Sequence, residues 1–206
     1  MLIVGLTGGV GSGKTVVSQT LKEEGAYLID ADQIARELVR PNTPTWNELI
    51  QIFGKEILKE DGSIDRKRLA QRVFSNPKER NLLNQMIHPR IKEEINRRKE
   101  EIIKKDPKAI IIIDGALLVE LGEHREMDRV IVVFAPDDQR IERVRRRDGM
   151  SEEEAKRVIS SQMPQEEKLK VADFVIRNEG SLEETRQKAK ELFRELKRIE
   201  LGLIKR

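Results

Sequence analysis

The residues Gly8-Gly9-Val10-Gly11-Ser12-Gly13-Lys14-Thr15 follow an apolar run, Leu2 to Leu6, and open a helical stretch at about Lys14. A strand that passes straight into a glycine-rich turn and then a helix leaves a chain few options. The pattern G-x-x-x-x-G-K-[ST] in that setting points backbone N–H groups and a helix N-terminus at phosphate oxygens. Glycines are needed because side chains would keep the backbone from wrapping so closely. Lys14 is expected to reach the β and γ phosphates of a nucleotide, and Thr15 to offer its hydroxyl to Mg2+. A bare glycine-rich turn without a ligand is the weaker reading, because strand, spacing and helix occur together.

The rest of the chain supplies the sheet that such a loop requires. Further β-rich runs lie at Ala26 to Ile29, Ala109 to Ile113, Arg129 to Phe134 and Asp173 to Arg177. They are continuously apolar, not alternating, and helical sequence separates them. Strands buried on both faces between helices predict an α/β fold with a five-stranded parallel sheet. Helix starts are signalled by Asn76-Pro77 with Glu79, by Ser151 with Glu154 and by Ser181 with Glu184.

Strand spacing is uneven. About 80 residues without a strand separate the second and third runs, far more than one crossover helix needs. An inserted helical subdomain is expected there, with helices at Pro44 to Phe53, Lys67 to Phe74, Pro77 to Ile87 and Pro89 to about Lys104. A shorter insertion, rich in Arg, Lys and Glu, runs from about Asp137 to Val171.

Composition excludes several classes. The chain has 206 residues, enough for one domain with substantial insertions. It has no cysteine, which removes disulfides and thiolate metal sites. No apolar run approaches the roughly 20 residues of a membrane span, and the first residues read as a core strand instead of a signal peptide. A cytoplasmic protein without a membrane partner is expected. The 40 basic residues nearly balance 37 acidic ones, which argues against a nucleic-acid partner.

Asp30-Ala31-Asp32 ends the second run. Ligands of open parallel sheets lie beyond the carboxyl ends of the strands, so a carboxylate there can face bound phosphates. Asp32 can take the proton of an acceptor hydroxyl, or it can cap the helix expected from Gln33 to Val39. Asp30 reads as a strand-end residue that supports the site.

Taken together, these residues resemble the dephospho-coenzyme A kinases. That family begins Gly-Leu-Thr-Gly-Gly-x-Gly-Ser-Gly-Lys, here Gly5 to Lys14, and follows with a strand ending Asp-Ala-Asp, here Asp30 to Asp32. The likeness continues through Ile34-Ala35-Arg36, His88-Pro89, Leu117-Leu118 with Glu120, Arg143, Arg147-Asp148, Gln162, Ala172-Asp173 and Asn178. It covers nearly the whole chain.

The resemblance implies a P-loop three-layer sandwich whose nucleotide-binding core comprises residues 1–40, 108–136 and 172–206. It implies a helical acceptor-binding subdomain at 41–107 and a lid at 137–171. The activity implied is transfer of the ATP γ-phosphoryl group to the ribose 3′-hydroxyl of dephospho-coenzyme A, by a monomer or weak homo-oligomer. ATP would sit on Gly8, Gly9, Gly11, Ser12, Gly13, Lys14, Thr15, Val16 and Asn178, with Mg2+ on Thr15. Asp32, Lys14, Arg143 and Arg147 would be catalytic, and Asp32, His88 and Leu117 would meet the acceptor.

Blander readings stand beside several of these. Arg143 and Arg147 can belong to a solvated basic face, His88 can mark a break between two helices before Pro89, and Asn178-Glu179-Gly180 can be a simple turn. The family's Asp-x-Pro-Leu-Leu is here Asp114-Gly115-Ala116-Leu117-Leu118. The missing proline is expected to change the rigidity of that loop, beside Asp114, which resembles a magnesium-orienting carboxylate. A switch GTPase lacks support, since no Asn/Thr-Lys-x-Asp element is present. Another small-molecule or nucleoside monophosphate kinase of the same fold is the alternative.

Overall fold

The computed structural model describes residues 1–203, with the side chains of Phe74 and Ser75 set aside. Residues 204–206 of the expected core lie outside the described residues. The chain divides into two compact units, Met1–Ile29 with Glu101–Arg206, and Asp30–Glu100.

The first unit is organised by the sheet. Strands β1 Leu2–Gly8, β2 Tyr27–Asp30, β3 Ile110–Asp114, β4 Arg129–Phe134 and β5 Phe174–Arg177 lie in the order β2-β3-β1-β4-β5. The sheet is parallel, as expected from the continuous apolar runs. All residues of β3 are buried, whereas β5 at the edge exposes alternate positions. From β1 the chain leaves towards β2, and from β4 towards β5, so the order reverses between these neighbours. Their carboxyl ends therefore border the crevice where open α/β sheets hold ligands.

Helices α1 Lys14–Glu23 and α9 Leu182–Glu200 help cover the sheet. Val17 and Leu21 of α1 join Leu2, Val4, Leu6, Ile112, Ile131 and Val133 in one core. Helix α9 adds Ala189, Leu192, Phe193, Leu196 and Ile199, the three-and-four spacing of a helix with one buried face. Both α9 and α7 Glu152–Ser160 start with reciprocal capping boxes, Ser181 with Glu184 and Ser151 with Glu154. Between β4 and β5 lie α6 Asp137–Asp148, α7 and α8 Gln165–Leu169.

The second unit is helical, built from α2 Ala31–Leu38, α3 Pro44–Phe53, α4 Arg66–Ser75 and most of α5 Pro77–Lys105. It has its own core of Leu49, Phe53, Ile57, Ile64 and Leu69. Asn76 caps α5, its side-chain oxygen accepting from the Lys78 and Glu79 N–H groups. The separate helices expected on either side of His88 are one continuous helix with Pro89 inside it. Proline removes the donor to the Gln85 carbonyl at a cost of about 3 kcal/mol. Arg90, in the same turn, donates to the Met86 carbonyl at 3.4 Å and grips both Glu48 oxygens at 2.8 Å, fastening this turn to α3.

Candidate active site

The glycine-rich loop leaves β1 at Gly8, level with Val133 of β4, and closes on itself where the Ser12 N–H donates to the Gly9 carbonyl at 3.0 Å. Helix α1 starts from Gly13 at φ +90° with no side-chain cap. No side chain therefore competes with an anion for the N–H groups of the first turn. Position 13 excludes a side chain twice over: its φ is left-handed, and a Cβ there would collide with the Asn178 amide. Gly11, at φ +78°, has the Arg140 carbonyl 2.7 Å from where a Cβ would stand. Ser12 is fully buried and its Oγ has no partner among the described residues, while Thr15 is exposed and Val16 half-buried.

Asp114 ends β3 level with Leu6 of β1, and the Gly115 N–H donates to the Leu6 carbonyl at 3.1 Å. That register brings Asp114, almost fully buried, into an ion pair with Lys14. The following loop, where the family's proline is absent, is held in another way. The Ala116 carbonyl accepts from Thr7 Oγ1 at 3.2 Å and from Lys168 Nζ at 2.7 Å. Lys168 has no exposed surface and lies 2.7 Å from Glu120. Leu117, in the same loop, is 44% exposed.

The β4–β5 insertion meets the glycine-rich loop through α6 and the turn after α7. Arg140 is buried and donates to the Val10 carbonyl at 3.0 Å, and the Val10 N–H donates to Gln162 at 2.8 Å. Arg143 donates to the Gly11 carbonyl at 3.2 Å and the Asn178 carbonyl at 3.1 Å. Asn178 is itself buried, its amide donating to the Ser12 carbonyl at 2.8 Å and its oxygen accepting from Thr185. Arg147, one turn beyond Arg143, is exposed and pairs with Asp148 at 2.7 Å, which raises its pKa further.

In the second unit the capping role falls to Asp30, not Asp32. Asp30 Oδ1 accepts from the Gln33 N–H at 2.7 Å, and Asp32 occupies the second position of the helix. Asp32 lines a cavity of about 310 Å³ with Ala35, Arg36, Val39, Leu49, Ile64, Arg66, Leu69 and Ile87. His88 is half-buried in the middle of α5, so it marks no helix break, and desolvation holds its pKa below the usual value.

A family model described as dephospho-CoA kinase matches residues 2–184. The chain belongs to the dephospho-CoA kinase family. A dephospho-CoA kinase of Corynebacterium glutamicum is 46% identical over 196 residues, covering 95% of this chain and 100% of that one. A crystal structure of TT1252 from Thermus thermophilus superimposes with a TM-score of 0.79 at 33% identity, covering 95% of this chain and 97% of that one. A dephospho-CoA kinase from Campylobacter jejuni gives 0.62 at 30% identity, covering 94% and 96%.

For a dephospho-CoA kinase family member, the sequence reading missed two buried cations beside the loop. Arg140 was hidden among the neighbouring arginines of α6, and the only available signal was its i,i+3 relation to Arg143. Lys168 carried no local signal, since a lysine in a charged stretch reads as solvated. The donor set suits Mg2+. Among the described residues no three His, Asp or Glu side chains cluster to cage a metal. An exposed Thr15 hydroxyl at an uncapped helix start fits an ion held largely by nucleotide phosphates and water.

Proposed function

We propose that this protein transfers the γ-phosphoryl group of ATP to the ribose 3′-hydroxyl of dephospho-coenzyme A, giving coenzyme A and ADP, the last step in making coenzyme A. The observation that carries this is the extent of the family match, which runs from β1 through both insertions to the start of α9 and is not confined to the glycine-rich loop.

The roles are those that the family resemblance implies for these positions, and charge and donor geometry support several of them. The N–H groups of Gly8 to Gly13 and the start of α1 hold the phosphates, Val16 lies in that first turn, and Lys14 exchanges Asp114 for the β and γ oxygens. Thr15 would hold Mg2+, with Asp114 as a supporting carboxylate, and the ion would supply charge compensation for the phosphates. Arg143 and Arg147 stabilise the group in transit, and Asn178 supports the adenine side. Asp32 accepts the proton of the 3′-hydroxyl as its oxygen bonds to phosphorus and the bond to ADP breaks. His88 and Leu117 contact the acceptor.

Residues 1–40, 108–136 and 172–206 act as the nucleotide core, 41–107 as the acceptor subdomain and 137–171 as a lid that excludes water. The enzyme works in the cytoplasm as a monomer or weak homo-oligomer. No helix among the described residues is long and apolar enough to cross a membrane. The test is ADP formation with ATP, Mg2+ and a panel of acceptors. Turnover with dephospho-coenzyme A above a no-acceptor control is expected; turnover only with a nucleoside monophosphate overturns the assignment.

A further inference from the structure

Among the described residues, the second unit carries a group of cations that form no ion pair. The cavity floored by Leu49, Ile64, Leu69 and Ile87 has Asp32 on its wall and two guanidinium groups, Arg36 and Arg66, at its rim. Both arginines also border a second cavity, of about 510 Å³, which shares Val39 and Ile64 with the first and adds Lys59 and Lys67. The two spaces thus lie on either side of the same residues.

Elsewhere in this unit arginines find carboxylates, as Arg72 does with Glu79 and Arg98 with Glu37. Among the described residues, Arg36, Lys59, Arg66 and Lys67 have no ion pair. Asp65, the acid nearest in sequence to Arg66 and Lys67, is already engaged, capping α4 through the Lys67 and Arg68 N–H groups and pairing with Arg68 at 3.2 Å. Arg36 and Arg66 also disfavour each other: desolvation and the charge of Arg36 hold the Arg66 pKa below its usual value. Unpaired like charges set at the mouth of a cavity are relieved by an anion, and two guanidinium forks suit a ligand with several phosphate oxygens.

The neighbourhood of Asp32, the proposed proton acceptor, indicates which anion. Asp32 and Arg36 stand four residues apart on α2, one turn of the same face, with Cβ atoms roughly 5–6 Å apart. On a nucleotide, the ribose 3′-hydroxyl and the 5′-phosphate are separated by a comparable short span. We infer that Arg36 and Arg66 clamp the 5′-diphosphate of the acceptor nucleotide, and so set its 3′-hydroxyl at Asp32. This rests on the function proposed above, with Asp32 as the proton acceptor. Lys59 and Lys67 extend the positive rim without making the bidentate contacts.

The experiment compares the unmodified protein with Arg36→Ala, Arg66→Ala, the double alanine variant and the double lysine variant. KM for dephospho-coenzyme A, KM for ATP and melting temperature are measured over a range of salt. The double alanine variant is expected to raise KM for dephospho-coenzyme A by roughly 10²-fold or more, from the loss of two charge-assisted contacts. KM for ATP and the melting temperature should stay near those of the unmodified protein. The acceptor KM should also lose much of its salt dependence, and the lysine pair should recover part of the loss. An unchanged acceptor KM in the double alanine variant, or an equal rise in both KM values, overturns the clamp. Absence of turnover by the unmodified protein would instead overturn the reading on which the clamp rests.

Discussion

The side-chain amide of Asn178 donates to the carbonyl of Ser12 at 2.8 Å, tying the end of β5 to the phosphate loop across 166 positions of sequence. The same amide lies where a Cβ at Gly13 would be, so the loop's glycine and the distant asparagine are one packing unit. Asn178→Ala leaves the Ser12 carbonyl without the buried amide that donates to it, a cost of about 1–3 kcal/mol. A fall in melting temperature together with a rise in KM for ATP is expected. Unchanged values in both would mean that the loop holds its shape without this tie.

Lys168 and Glu120 form a buried pair whose members should be worth little together and much when separated. Lys168→Met leaves the Glu120 charge buried, with an expected loss of about 3–5 kcal/mol. Adding Glu120→Leu should restore much of it. Denaturant unfolding of the single and double variants measures the coupling, and additive losses would contradict it.

Arg143 and Arg147 separate along one helix. Arg143 touches the carbonyls of Gly11 and Asn178, whereas Arg147 is paired with Asp148 at the surface. Arg143→Ala should therefore cost more in kcat/KM for ATP than Arg147→Ala does, by about tenfold. Equal losses would indicate that Arg147 leaves Asp148 during turnover.

Asp32 is relieved of the capping role by Asp30, so its removal should not unravel α2. Asp32→Asn is expected to lower turnover by roughly 10²-fold or more while ATP affinity changes little. Asp30→Ala should instead destabilise by about 1 kcal/mol through loss of the cap. If Asp32→Asn kept near-normal turnover, the proton would have to leave by another group.

Acid should weaken the helical unit in part through Glu94. Hydrogen bonds from Arg97 and Arg98 hold its carboxyl at about 2, against an ordinary value of 4.5. A depressed folded-state pKa stabilises the protein above the unfolded value, and this stability is lost as pH falls from 4.5 to about 2. Melting temperature across that window should fall more gently for Glu94→Gln than for the unmodified protein. Parallel curves would remove Glu94 as a contributor.

Much of the fold was legible because its signals are local. The apolar runs at Leu2 and Arg129 and the caps at Ser151 and Ser181 depend only on neighbouring residues, and all form the elements expected. Pro89 misled for the same reason: a proline predicts a break from its own chemistry, while α5 runs on through it, with Arg90 of the same turn tied to Glu48, distant in sequence. Asp32 was open to a capping role because Asp30 and Asp32 are equivalent as residue types. Only the backbone turn at the strand end, which leaves Asp30 extended with φ −89° and ψ 105°, distinguishes them.

The sequence by itself determined the parallel sheet, the phosphate loop and the family, since strand patterning and motif spacing are carried by contiguous residues. Tertiary structure alone decided which arginine of α6 is buried, that Lys168 secures the Ala116 loop, and that Arg36 and Arg66 border one cavity with no ion pair among the described residues. Each of those depends on burial and on the distance between segments far apart in the chain, and charge energetics follow distance and solvent exposure, not order along the sequence.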